Sequence, residues 1–172
     1  MLQSVSPAVL VATTLLQVLG ERVNDFVFVD FASGAGGPTP WIEAEVNKRI
    51  RTGSTKRRVE AVSFVMTDLR PHVQAWQAAC KKSDSGRLGY VADEVDATAA
   101  PADLLSKVEG GGVSSSSQKK GIFRLFSLAF HHFDDDLAQG ILKNTIESSD
   151  GFGYVSSLYP IQFPQACHLI FL

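Results

Sequence analysis

Apolar residues along the chain change repeatedly between two spacings, which predicts helices alternating with strands. Apolar positions recur at helical spacing over 9–19, after the helix-start dipeptide Ser6-Pro7. Residues 26–31 then form a continuous run of aromatic and β-branched side chains, typical of a strand buried on both faces. A second helical pattern begins at Thr39-Pro40. Helix, strand, loop and helix together predict the opening unit of an α/β fold.

The same alternation continues through the rest of the chain. We predict further strands over 59–66, 87–91, 122–130 and 151–155, and further helices over 70–82, from Pro101 and after Asp134 or Asp135. Five strands separated by helices predict a Rossmann-like, doubly wound and mostly parallel sheet.

The chain of 172 residues has the length of one domain. We divide it into an N-terminal helical segment, 1–24, an α/β core, 25–157, and an irregular apolar tail, 158–172. Within the core, 109–120 is rich in glycine and serine, which predicts a flexible surface loop.

Charge and hydropathy restrict the partners that the sequence suggests. The net charge is -2, so no basic field indicates a nucleic acid. The apolar stretch 8–19 is too short to cross a bilayer, and no basic segment precedes it. Cys80 and Cys167 belong to no metal or redox spacing. We therefore expect an intracellular, cytoplasmic protein without a membrane span; the sequence indicates no oligomeric state.

The residues most suited to binding follow the predicted strands. In doubly wound sheets ligands bind beyond the carboxyl ends of the strands, where the strand order reverses. Four groups fall there: residues 30–37, Asp68, Asp96 and residues 127–132.

The glycine loop after the first strand does not fit a dinucleotide. A G-x-G-x-x-G pattern that begins at Gly34 would require glycine at the position of Thr39. The next acid at a strand end, Asp68, also lies well beyond the expected interval of about 20 residues. A NAD-dependent oxidoreductase is therefore a disfavoured alternative.

The loop Asp30-Phe31-Ala32-Ser33-Gly34-Ala35-Gly36 resembles the acid-x-Gly-x-Gly-x-Gly loop of class I S-adenosylmethionine-dependent methyltransferases, with Ala32 at the first glycine position. The chain looks most like fungal methyltransferase-like proteins, over residues 8 to 155. S-adenosylmethionine carries an ammonium and a sulfonium but no phosphate. A carboxylate beside open backbone groups suits such a ligand.

This resemblance implies a set of cofactor contacts and a reaction. The acid after the second strand would bind the ribose hydroxyls, and an acid with its neighbour after the third strand would contact adenine. The methyl acceptor would be a small molecule that the sequence does not identify. The implied cofactor-binding residues are Asp30, Ala32, Ser33, Gly34, Ala35, Gly36, Asp68, Leu69, Asp96, Ala97, Ser127 and Leu128.

Structural roles compete with these functional ones. Asp30 could cap the following loop, and Asp68 could be the N-cap of the following helix. Asp96 lies in an acidic region whose register the sequence does not fix. Trp41 and Trp76 are most simply core residues of amphipathic helices.

His131 and His132 allow a catalytic interpretation, with His132 as a general base for the methyl acceptor. The competing interpretation is that one ring packs and the other faces solvent. A metal cluster with Asp134, Asp135 and Asp136 is disfavoured, because adjacent histidines on a strand end point to opposite sides. The three aspartates suit a helix N-terminus instead.

The resemblance also implies an incomplete fold. Class I methyltransferases have seven strands, the last two forming an antiparallel edge, whereas the tail 158–172 contains no hairpin turn signal. The related proteins also have an upstream segment, so we expect a truncated form. An inactive fragment that serves as a binding or scaffold domain is the alternative to an active enzyme.

Overall fold

A computed structural model of the protein describes residues 6–53, 60–113 and 120–156, together with the backbone of 166–171. It is an α/β fold in which helices flank a mostly parallel sheet. The helices are α1 (Pro7–Leu19), α2 (Thr39–Thr52), α3 (Val73–Lys81) and α4 (Asp135–Ser148). The strands are β1 (Phe26–Asp30), β2 (Phe64–Met66), β3 (Leu88–Val91), β4 (Val108–Gly110), β5 (Gly121–Ser127), β6 (Gly151–Ser156) and β7 (Ala166–Phe171). Among the described residues, 3-10 helices cover Gly20–Asp25, Leu104–Lys107 and Phe130–His132.

The described strands form one sheet in the order β4-β3-β2-β1-β5-β6-β7. The five central strands, β3, β2, β1, β5 and β6, run parallel. The edge strands β4 and β7 run antiparallel to their neighbours. From β1 the chain first builds outward through β2 and β3, then returns to place β5 on the other side of β1. The strand order therefore reverses between β1 and β5, the position where Rossmann-like sheets bind ligands.

Two apolar layers cover the two faces of this sheet. On one face the rings of Phe28 and Phe64 stack with centroids 4.8 Å apart, beneath a cluster that includes residues of α1 and α2. On the other face Val29 and Phe31 belong to a cluster that includes Ile141 of α4. All five residues of β1 are buried, as its uninterrupted apolar run predicts.

Most of the predicted helices begin where the sequence indicates. Helix α1 starts at Pro7 and α2 starts at Thr39, with proline in the first turn of each. The N-cap of α4 is Asp134, whose side chain accepts a hydrogen bond from the Leu137 N–H at 2.9 Å. No described helix is both long and apolar enough to cross a membrane.

The predicted number of strands is wrong, because the sheet has two antiparallel edges in addition to the five parallel strands. Residues 108–110, partly inside the predicted loop 109–120, form β4 against β3. Residues 166–171, inside the predicted irregular tail, form β7 against β6. Strand β4 has only three residues, too few to show an alternating pattern. Strand β7 is not joined to β6 by a two-residue turn, so no hairpin signal in the sequence indicates it. Residues 114–119 of the loop and 157–165 of the tail lie outside the described residues.

Several element boundaries also differ from the prediction. The strand predicted over 59–66 occupies only 64–66 of the described residues, and the helix predicted over 70–82 begins at Val73. The segment after Pro101 forms a single 3-10 turn at 104–107 rather than an α-helix. The strand predicted over 122–130 ends at Ser127, because Leu128 has a positive φ of 63° that ends extended pairing.

Candidate functional site

The carboxyl ends of the parallel strands bring the four predicted groups to one edge of the sheet. We call this region the strand-end surface and define it as residues 30–39, 68–69, 96–97 and 127–128. Parallel strands end at the same edge, so the position follows from topology alone.

Asp30 ends β1 and lies at the point where the strand order reverses. Its carboxylate is fully buried; it accepts a hydrogen bond from the Thr39 hydroxyl at 2.5 Å and another from the Ser127 N–H at 3.1 Å. Burial raises the pKa of Asp30 to about 7, although the hydrogen bonds from Thr39 and Ser127 oppose the rise. The side chain thus joins β1, β5 and the first turn of α2. The structural role that the sequence allowed is present, and any effect on a ligand would pass through the loop.

The glycine loop has positive φ at each of its three motif positions. The three motif positions Ala32, Gly34 and Gly36 have φ of 55°, 53° and 109°, and Gly37 follows with 46°. Only glycine adopts positive φ without steric cost. Ala32 therefore occupies a position that favours glycine, as expected if it replaces the first glycine of the motif.

Replacement of Ala32 by glycine should stabilise the fold. Left-handed backbone costs alanine about 1–2 kcal/mol. Glycine avoids this cost, but it also gives the unfolded chain more conformational freedom, which lowers the free energy of unfolding by about 0.4–1 kcal/mol. We expect a net gain of about 0.5–1 kcal/mol in the free energy of unfolding, measured by urea denaturation.

The neighbouring Ala35→Gly variant is the matched control. Ala35 is exposed and is not among the residues with positive φ, so glycine there should lower stability. Equal effects of the two substitutions would contradict a strained Ala32.

Contacts from β2 and α3 hold the loop in place. The Gly34 N–H donates to the Asp68 carboxylate at 2.7 Å, and the Gly34 carbonyl accepts from the Trp76 indole N–H at 2.9 Å. The N–H and hydroxyl of Ser33 both donate to the Thr67 carbonyl, at 3.0 and 3.1 Å. Hydrogen bonds from neighbouring segments to the main chain of the loop thus keep it preorganised. Trp76 is fully buried, which confirms its predicted core position.

Two glycines of the loop serve different purposes. A Cβ at Gly36 would lie 3.3 Å from Met66 Sδ and 3.7 Å from Trp76, so glycine there permits close packing. A Cβ at Gly34 would meet nothing within 4 Å. Gly34 therefore presents bare main chain to open space, as a site for close approach of a ligand requires.

Asp68 follows β2 and faces the loop. One carboxylate oxygen accepts from Gly34 and the other from the Arg70 N–H, at 2.8 Å. Helix α3 begins only at Val73, with His72 as its N-cap, so the alternative role of Asp68 as helix cap is wrong. A carboxylate can accept about four hydrogen bonds, which leaves Asp68 capacity for ribose hydroxyls. Beside it Leu69 is 55% exposed, an apolar surface next to a polar one.

Asp96 and Ala97 lie in the loop after β3. One Asp96 oxygen accepts from the Thr98 N–H at 2.8 Å and from its hydroxyl at 2.7 Å, while the residue as a whole is exposed. The Val95 N–H donates to the Asp68 carbonyl at 2.9 Å, which joins this loop to the end of β2. Asp68 and Asp96 thus belong to adjacent connected segments.

Leu128, directly after β5, is the second non-glycine residue with positive φ, at 63°. Its N–H donates to the Val155 carbonyl at 3.0 Å, so β6 fixes the bend. In the described chain the two strained non-glycine residues, Ala32 and Leu128, therefore follow the two strands that flank the reversal. Strain that surrounding structure maintains is a recognised feature of functional sites.

His131 and His132 do not lie on a strand end as predicted. They belong to a 3-10 helix, both are exposed, and their ring centroids are 3.9 Å apart, so the expectation of rings on opposite sides is wrong. The described residues contain no group of three or more side chains suited to a metal ion. His132 is accessible to a methyl acceptor, but its described contacts show no partner that would orient it as a base.

Trp41 is the clearest correction among the predicted core residues. It is 72% exposed, because the outer face of α2 carries it away from the sheet. It lines a cavity of about 190 Å³ with Lys48, Arg51 and Asp84, which contains no residue of the glycine loop. A second cavity, of about 240 Å³ between the ends of α1 and α2, is likewise separate from the strand-end surface.

Sequence reasoning missed three residues that shape the site. Thr39 bonds Asp30, Trp76 bonds the glycine loop, and Arg124 bonds the Ala97 carbonyl at 3.2 Å. Only Arg124 carried a visible signal, because a lone cation in the apolar stretch 122–130 is unusual for a buried strand.

Comparison of the sequence with protein-family models gives no match, and comparison with curated proteins gives none either. The function is therefore argued from the geometry of the strand-end surface.

Proposed function

We propose that the strand-end surface binds S-adenosylmethionine and that the chain is a class I methyltransferase-like domain acting on a small molecule. The observation that carries this proposal is the glycine loop. All three glycine positions of the acid-x-Gly-x-Gly-x-Gly motif have positive φ, including the one that holds Ala32. Gly34 also leaves open space where the amino-acid part of the ligand would lie.

The charge of the strand-end surface favours this ligand over a dinucleotide. Its acids with exposed surface are Asp68 and Asp96, and its residues include no lysine or arginine. Carboxylates suit the ammonium and sulfonium of S-adenosylmethionine, whereas they would repel a pyrophosphate. The exposed Leu69 beside Asp68 offers an apolar contact for a purine next to acceptors for ribose hydroxyls.

The sheet supports the same assignment. The resembling family ends in an antiparallel sheet edge, and β7 pairs antiparallel with β6. This pairing removes the missing edge as a reason to favour an inactive fragment. The antiparallel β4 at the opposite edge is a departure from the family pattern.

The main task of these residues would be to align the cofactor with the methyl acceptor. The bound cofactor would supply an activated methyl group for in-line displacement. Gly34 and Asp68 would contact it, and the two hydrogen bonds of Ser33 to Thr67 would keep the loop preorganised. A base is needed only if the acceptor must lose a proton, and the exposed His132 is the candidate.

Isothermal titration with S-adenosylhomocysteine tests the proposal. The wild type should bind, and Asp68→Ala should weaken binding about 10- to 100-fold, because hydrogen bonds to a charged group contribute about 1.5–3 kcal/mol. Asp84→Ala is the control, since it removes an exposed carboxylate from the turn before β3, at the amino end of the sheet. A folded wild type that releases no heat, or Asp68→Ala binding as wild type does, would contradict the proposed function.

A further inference from the structure

Arg124 occupies an unusual position in the middle of β5. It is fully buried, and its backbone lies opposite Val29 of β1. Its guanidinium donates to the Thr145 hydroxyl at 3.3 Å, to Asn144 Oδ1 at 2.7 Å and to the Ser148 hydroxyl at 2.6 Å. These three acceptors lie on α4, so the side chain joins the central sheet to that helix.

Every one of these acceptors is neutral. Within the described part of the chain no carboxylate lies within ion-pair distance of Arg124, and its Nε–H is buried without a hydrogen-bond partner. The guanidinium carbon lies 4.4 Å from the centroid of the Phe31 ring, a cation–π contact. Burial lowers the pKa of Arg124 to about 10, which still leaves it charged near neutral pH. An apolar side chain would fill this space without the cost of burying a charge.

The remaining contacts of the guanidinium explain why a cation is useful here. It donates to the Ala97 carbonyl at 3.2 Å, in the loop that carries Asp96. The Ala100 N–H of the same loop donates to Asn144 Oδ1 at 3.2 Å, the oxygen that also accepts from Arg124. Arg124 and Asn144 thus fix the loop to α4 at two points, while the Val95 N–H fixes it to Asp68.

We propose that Arg124 is a positioning residue that holds the Asp96–Ala97 loop in place at the strand-end surface. Its side chain lies on the α4 side of the sheet and contacts Phe31 and Ala97, which belong to two different segments of that surface. The ordering of the loop stands independently of any ligand. Its consequence for adenine recognition by Asp96 depends on the proposed function.

Hydrogen exchange tests the ordering without a ligand. In Arg124→Met the Thr98, Ala99 and Ala100 amides should exchange at least tenfold faster than in wild type, relative to the amides of β1 measured in the same sample. Arg124→Lys should restore part of the protection, because the ammonium keeps the charge and up to three donors.

Two variants in α4 keep the test decisive if Arg124→Met does not fold. Asn144→Ala removes the acceptor that Arg124 and Ala100 share, so it should also accelerate exchange in the loop. Thr145→Val touches Arg124 but not the loop, and should leave loop exchange unchanged. Unchanged loop exchange in folded Arg124→Met or Asn144→Ala would overturn the proposal.

A binding measurement distinguishes a specific role of Arg124 in positioning Asp96 from a general loosening of the binding surface. Asp96 would accept a hydrogen bond from the adenine amino group, which inosine lacks. If the wild type binds S-adenosylhomocysteine, its preference over S-inosylhomocysteine should fall about tenfold in the folded Arg124 variant and recover partly in Arg124→Lys. Equal weakening of both ligands would overturn the role in recognition. Failure of the wild type to bind either ligand would refute the proposed function, while the exchange result would still decide the ordering.

Discussion

Substitution of Gly34 by alanine is expected to weaken binding of S-adenosylhomocysteine about 10- to 100-fold, because an added methyl group in a close contact costs about 1–3 kcal/mol. The Cβ would project into the open space beside the loop, where the proposed ligand would approach the main chain. The backbone at Gly34 has φ of 53°, so alanine also lowers the stability of the fold, by a net amount of about 0.5–1 kcal/mol. Titration calorimetry and urea denaturation of the same variant give the two effects separately.

Gly86→Ala is the matched control for this substitution. Gly86 has φ of 65° and also has nothing within 4 Å of an added Cβ, but it lies in the turn before β3, at the amino end of the sheet. The two variants should lose similar stability, and only Gly34→Ala should lose affinity. Equal affinity in the two variants would place the ligand somewhere other than beside Gly34.

Replacement of Asp30 by asparagine is expected to stabilise the protein at pH 8 by up to about 4 kcal/mol, the free energy that corresponds to a pKa rise from 3.8 to about 7. Ionisation places a charge in a site shielded from water, and asparagine avoids that charge. Its amide can still accept from the Ser127 N–H and can donate to the Thr39 hydroxyl. The neutral side chain therefore preserves both connections of the original.

The sign of the pH dependence follows from the direction of this shift. A carboxyl whose folded pKa is raised binds more protons in the folded than in the unfolded state between pH 3.8 and about 7. The contribution of Asp30 is thus fully present below pH 3.8 and is lost as pH rises through about 7. In Asp30→Asn this loss should disappear, so the two proteins should have similar stability near pH 4 and differ most at pH 8.

Urea denaturation of wild type and Asp30→Asn from pH 4 to 8 measures this difference. Asp134→Asn reports the general effect of losing a carboxylate charge, because Asp134 is exposed and asparagine is an equally good N-cap. If the difference between wild type and Asp30→Asn is constant with pH, Asp30 does not titrate in the folded protein as described.

The parallel part of the fold could be predicted because its signals are local. The run 26–31 and the helix starts at Pro7 and Thr39 each depend on neighbouring residues, and each corresponds to an observed element. The edge strands could not be predicted in the same way. Strand β4 is only partly buried, so its three residues show no apolar pattern, and its pairing with β3 depends on a distant part of the chain.

In the candidate site, too, features that depend on neighbouring residues could be predicted, and contacts between distant residues could not. The resemblance placed Ala32 at a glycine position of the motif, and its positive φ in the structure agrees with that alignment. The bond between Gly34 and Asp68 and the bond from Trp76 join residues far apart in sequence, so no spacing rule indicates them. Trp41 illustrates the opposite error, because its place on an amphipathic helix predicts a core position, whereas its side chain lies mostly in solvent.

The most direct test of the central claim is a crystal structure of the protein with S-adenosylhomocysteine. We predict ligand density against the bare main chain at Gly34, with ribose hydroxyls within hydrogen-bonding distance of the Asp68 carboxylate and the purine beside Leu69. A ligand bound elsewhere, or a strand-end surface closed by its own side chains at saturating ligand, would contradict the account.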